Sequence, residues 1–172
     1  MRKKILNISL IYGIVTGVVC FVFFLMLYQG TPNPLGAMRP FIGFNILFIF
    51  LAIWIFKKRQ GGFLHFYEGF SIGFLTNIIG ALTSGILIFL FVKLIDPAPF
   101  DNWIKESLNF LTSQKKELST FLNEESYQKQ LASFADAKPY QIILDELAYK
   151  QFAVVAIMLI AMALRKQGDR LS

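Results

Sequence analysis

The chain has 172 residues, 55% of them hydrophobic and 16% charged, with mean hydropathy +0.55. A soluble domain of that length has too little interior to hide such a composition, and most of the 19 phenylalanines lie in long uncharged runs. The net charge of +6 does not point to nucleic acid as a partner, because the basic residues sit at the edges of apolar runs, where they orient a membrane protein. A single cysteine, Cys20, rules out an internal disulfide and a multi-cysteine metal centre, and no cofactor is expected.

A helix crosses a hydrocarbon core of ~30 Å in ~20 mostly apolar residues. Four segments approach that requirement, at about residues 5–28, 37–56, 70–95 and 145–164. The first follows Arg2, Lys3 and Lys4 and stops at Gln29-Gly30-Thr31-Pro32-Asn33-Pro34. It is long and lacks a small-x-small cleavage pattern, so it reads as a retained span and not as a signal peptide. In the second, Pro40 suits a first helical turn and Arg39 can snorkel to the outer interface, while Lys57-Lys58-Arg59 ends it. A third helix begun at Phe63 would be ~45 Å long, more than a span needs, so its first turns are expected at the interface, or the helix tilts or bends near Gly69 or Gly73. The fourth stops before Arg165 and Lys166. Counting back ~20 residues places Asp145, Glu146 and Lys150 among headgroups, with the last two on one face.

The polar stretch 96–144 opens with Asp96-Pro97-Ala98-Pro99. Trp103, Ile104, Leu108, Leu111, Leu118 and Leu122 recur at helical spacing, and Tyr127, Leu131 and Phe134 predict a second, shorter amphipathic helix. Pro139 then starts a helix leading into the fourth span. Three basic residues precede the first span, three follow the second and three (Arg165, Lys166, Arg170) follow the fourth, whereas residues 96–148 hold five lysines against nine acids. Basic residues stay cytoplasmic. The expectation is therefore an all-α, single-domain, four-helix transmembrane bundle with a helical extracytoplasmic insertion between spans three and four. It would lie in a cell inner membrane with both termini cytoplasmic.

Small residues recur four apart at Gly13 and Gly17, at Gly69 and Gly73, and at Gly80 with Ser84 and Ala81 with Gly85, a spacing that lets helices in lipid approach closely. Phe63, Phe66, Tyr67 and Phe70 share one helical face and His65 and Glu68 another, which suits an interfacial anchor. His65 and Glu68 also admit a pH-sensing or ion-binding reading, although two ligands make a poor metal site. Neutral polar residues Asn45, Thr76 and Asn77, with Thr83 and Ser84, lie within spans, and no ionisable residue is expected at the centre of one. No phosphate loop, nucleophile elbow or paired-histidine zinc helix is present, so no enzyme is expected.

The pattern resembles a bacterial membrane family catalogued as domain of unknown function 4199. The resemblance rests on the early Gly13 and Gly17, on Gly61-Gly62-Phe63 with Phe66, Gly69-Phe70 and Gly73, on Asp96-Pro97 with Phe100, and on the closing Arg165-Lys166. It implies a four-span protein with a helical insertion before the last span and implies no site. This chain departs from the pattern at Phe152-Ala153-Val154-Val155, which carries neither proline nor glycine at the start of the last span. The functional expectation is a non-enzymatic protein of the lipid bilayer that packs as a homo-oligomer or with another membrane protein, through its glycine faces and acidic loop. The alternative is a small-solute transporter or channel component lined by Asn45, Thr76 and Asn77.

Overall fold

The computed structural model describes residues 2–115 and 123–166. Its elements are α1 (Arg2–Gly30), a 3-10 helix (Gly36–Phe41), α2 (Ile42–Arg59), α3 (Phe66–Leu94), α4 (Ala98–Ser113), α5 (Glu124–Ala135), α6 (Gln141–Lys150) and α7 (Ala153–Leu164). No named strand occurs among the described residues; one isolated bridge pairs Leu64 with Lys166. Among the described residues three helices are long and apolar enough to cross a membrane: α1, α3 and the 24-residue stretch Gln141–Leu164 that holds α6 and α7. The expected second span is shorter as an α-helix, because α2 has 18 residues and its last three are Lys57, Lys58 and Arg59. The 3-10 helix supplies the turns before it, where Pro40 was expected to start the helix. Leu118, Leu122 and Arg170 lie outside the described residues, as does the side chain of Arg39.

α3 is the axis of the bundle and packs against α1, α2, α6 and α7. Its 29 residues form one helix with no break at Gly69 or Gly73, ~44 Å long. α1 runs parallel to it, as the contacts in order show. The Ser9 hydroxyl donates to the Ile72 carbonyl, Gly13 faces Thr76 and Ile79, Gly17 faces Gly80 and Thr83, and Phe24 meets Phe91 edge-on at 5.4 Å. At the far end the Tyr28 hydroxyl donates to Asp96 at 2.7 Å. That bond and one from the Ala98 amide hold the Asp96 carboxyl below its ordinary value. The clasp is therefore fully present above the usual carboxylate range and is lost as pH falls through the lowered value.

α2 and α7 run antiparallel to α3. Ile49 of α2 and Ile157 of α7 both close on Gly73, and Ala161 of α7 lies over Gly69. Two glycines make the turn from α2 to α3. Gly61 and Gly62 take φ of +69° and +89°, and their amides bond back to the Lys58 and Lys57 carbonyls in a Schellman ending. The amphipathic pair α4 and α5 pack on each other, with Trp103 and Phe134 edge-to-face at 5.5 Å. α4 is tied to the 31–37 segment by Asn102 donating to the Pro32 carbonyl and Asn33 donating to Glu106.

The α1–α3 contact depends on hydrogen atoms where other residues carry Cβ. A Cβ at Gly13 would lie 2.6 Å from the Ile79 Cβ, and one at Gly17 would collide with the Thr83 Cβ, whereas nothing lies near Gly43. Gly17→Ala is therefore expected to destabilise the protein by ~1–3 kcal/mol by overpacking. Gly43→Ala, in the open face of α2, is expected to be neutral or to stabilise by up to ~1 kcal/mol. Thermal unfolding of both variants in detergent checks this, and equal effects would contradict it.

Candidate functional site: a buried ion pair at the floor of a groove

The last helical stretch breaks without proline or glycine. At Gln151 and Phe152 the amides bond to Ala148 and Tyr149, three residues back, and the Val154 amide bonds to Gln151, also three back. In a continuous α-helix Val154 would take the Lys150 carbonyl. That carbonyl instead accepts the Asn77 amide at 3.0 Å. Asn77 thus satisfies a backbone group that the break leaves unpaired in an apolar interior, where an orphan costs several kcal/mol.

One turn away lies the charge. The Lys150 side chain is 2% exposed and its Nζ lies 2.8 Å from Glu146 Oε2, with Glu146 13% exposed. Side chains on a helix lean toward its N-terminus, so Lys150 and Glu146, four apart, meet on the face that α6 turns to α3. Ser84 of α3 completes the cluster: its hydroxyl accepts from Lys150 at 2.7 Å and donates to Glu146 at 2.6 Å. Gly85 lets α6 come this close, since a Cβ there would lie 3.0 Å from the Ile143 Cα.

The expectation put Glu146 and Lys150 among headgroups; the structure packs both against α3, with Lys150 buried. Ser84 lies ~27 Å from the start of α3 and ~15 Å from its end, at 1.5 Å per residue, so the ion pair sits about two-thirds of the way along α3. The sequence signal was the Glu146/Lys150 spacing of four. It pointed elsewhere because the span was measured back ~20 residues from Leu164, while the helical stretch is 24 residues long and meets α3 below its end. A serine beside a lysine also fits a nucleophile with its base. Here Ser84 is fully buried and donates to Glu146, so it serves as a ligand of the ion pair.

Glu146 also faces outward. Together with Asp145 it lines a groove of about 720 Å³ whose other walls are Trp103 and Phe134 of the α4–α5 pair and Leu35 and Met38 before α2. Such a volume lies within the ~300–1,000 Å³ usual for small-molecule sites. The groove and the ion pair therefore share one carboxylate.

The neutral polar residues expected to form a pathway come together. Asn45, Thr76 and Asn77 are fully buried, and Asn45 Nδ2 donates to Asn77 Oδ1. Asn45 Oδ1 and Thr76 Oγ1 have no hydrogen-bond partner among the described residues. Through Asn77 this cluster joins Lys150. All six packing glycines are used within the chain: Gly13, Gly17 and Gly80 between α1 and α3, and Gly69, Gly73 and Gly85 under α7 and α6. They present no face to a second copy. His65 and Glu68 separate. Glu68 is buried and accepts from the His65 amide at 2.9 Å and from Gln60 at 3.1 Å, capping α3, while His65 is exposed and stacks on Tyr67. Phe63 and Phe66 are exposed beside it. Among the described residues no group of three or more metal-ligating side chains occurs.

The family described as protein of unknown function, DUF4199, matches residues 11–167. Comparison with curated proteins and with solved structures returns no match.

Removing one member of a buried pair strands the other charge. Lys150→Met is expected to destabilise by ~3–5 kcal/mol, and adding Glu146→Gln to recover much of that loss. Chemical unfolding of the single and double variants measures the coupling; simple additivity would contradict the pair.

Proposed function

This chain belongs to the DUF4199 family of proteins of unknown function, and we propose that it is a non-enzymatic, four-span membrane protein that binds a small solute in the Glu146 groove. In this reading α2 and the 3-10 helix before it form the second span, both termini are cytoplasmic and the α4–α5 pair is extracytoplasmic. The membrane is the inner membrane of a bacterium.

One observation carries the proposal: Glu146 belongs both to a buried ion pair and to the wall of an open groove. Ionisable groups inside a membrane bundle are costly and usually mark a ligand or ion path. A purely structural role would be served more cheaply by apolar residues of similar volume. The polar chain from Glu146 through Lys150 to Asn77 and Asn45 favours the solute-handling reading over association through glycine faces, because those faces are occupied inside the chain. Association with a homo-oligomer partner or another membrane protein would then rest on the α4–α5 pair.

Single cysteines in a Cys20→Ala background test this with an impermeant maleimide on intact cells. Ser113→Cys and the groove variant Ala148→Cys are expected to label from outside, and Gln60→Cys only after permeabilisation. Labelling of Gln60→Cys alone would invert the topology. Labelling of Ser113→Cys without Ala148→Cys would close the groove to solutes and overturn the binding reading.

A further inference from the structure

Resting on the groove as a binding site, we propose that its ligand is a lipophilic organic monocation, an ammonium-type molecule with an apolar body. The lining is one-signed: Asp145 and Glu146 are its charged groups, and none of the described lining residues is basic. Lys150 lies behind Glu146 and offsets that carboxylate, which leaves Asp145 to face the groove with a net negative charge. An anion meets two carboxylates and no donor of positive charge. A small inorganic cation needs several oxygen ligands, and no three metal-ligating side chains cluster among the described residues.

The walls fit the other half of such a ligand. Trp103 and Phe134 meet edge-to-face at 5.5 Å on one side, and Tyr149 and Phe152 at 6.1 Å on the other. Aromatic faces take up apolar bulk and also attract a cation, by ~0.5–2 kcal/mol each depending on desolvation. Carboxylates flanked by aromatic pairs suit positive charge carried on an apolar body. Phe152, which lines the groove, is 74% exposed, so the groove is open along this wall.

The test uses tetraphenylphosphonium and its near-isosteric anion, tetraphenylborate, on full-length protein in zwitterionic nanodiscs. Trp54→Phe leaves Trp103 as the reporting tryptophan. Saturable quenching of Trp103 by the cation is expected, weakened about tenfold in Asp145→Asn, with no saturable response to the anion. Circular dichroism confirms that Asp145→Asn stays folded, and Asp145→Glu is expected to bind like the parent. Saturable cation binding that Asp145→Asn leaves unchanged would overturn the inference. Saturable binding of the anion alone would overturn it while leaving the groove a binding site. No saturable response to either ion would overturn the groove reading as well.

Discussion

An ammonium enclosed by apolar helices must find within the protein the partners that water would otherwise give it, and the packing around α3 follows from that requirement at Lys150. Moving each ion of a pair out of water costs several kcal/mol. The charge is met by Glu146 one turn earlier, the second partner is Ser84, and the backbone carbonyl freed by the break after Lys150 goes to Asn77. The bonds to Ser84 and Asn77 demand that α6 and α3 approach to hydrogen-bond distance. Gly85 permits it beside Ser84, and Gly73 and Gly69 carry the same close approach along α7. The charge and the small residues are thus one design: the glycines let the helices meet, and the polar groups fix their register.

The register has a consequence at the surface of the bundle. Once Glu146 is turned inward to Lys150, Asp145 is turned to the other side, where the α4–α5 pair arches over the 31–37 segment. The groove exists because the amphipathic insertion buries its apolar stripe partly on itself, through Trp103 and Phe134, and partly on the bundle. A site of mixed character results, with an ionic floor and aromatic walls, and it is reached by a carboxylate that the bundle interior already holds in place. Preorganisation of this kind lowers the cost of binding.

Much of this was legible in the sequence, and what was not has identifiable causes. Apolar length set α1, α3 and the final helical stretch, and the periodicity of Trp103, Ile104, Leu108 and Leu111 gave α4. Small-residue spacing found Gly13, Gly17 and Gly73 but not which helix each would meet, because spacing describes one helix and the contact belongs to two. Length counting hid the site. Counting ~20 residues back from Leu164 set the outer end of the span near Asp145 and so put Lys150 among headgroups, whereas the helical stretch begins at Gln141 and α6 packs alongside α3. Nor does any residue type announce the break at Gln151, which arises from three-residue hydrogen bonds without proline or glycine. His65 and Glu68 shared a face in sequence, yet the start of α3 made one a cap and left the other exposed.

The register of α6 on α3 is the claim on which the ion pair, the Asn77 bond and the groove all depend, and disulfide trapping reads it directly. A Cβ at Gly85 would lie 3.6 Å from the Ile143 Cβ, inside the range of ~3.5–4.5 Å that a disulfide spans, and its 3.0 Å approach to the Ile143 Cα asks the α6 backbone to give by a few tenths of an ångström. In a Cys20→Ala background, Gly85→Cys with Ile143→Cys is expected to cross-link within the monomer on mild oxidation in the native membrane, while Gly85→Cys with Val155→Cys stays reduced. Cross-linking of the second pair and not the first would slide α6 along α3, remove Lys150 from Ser84, and contradict the account.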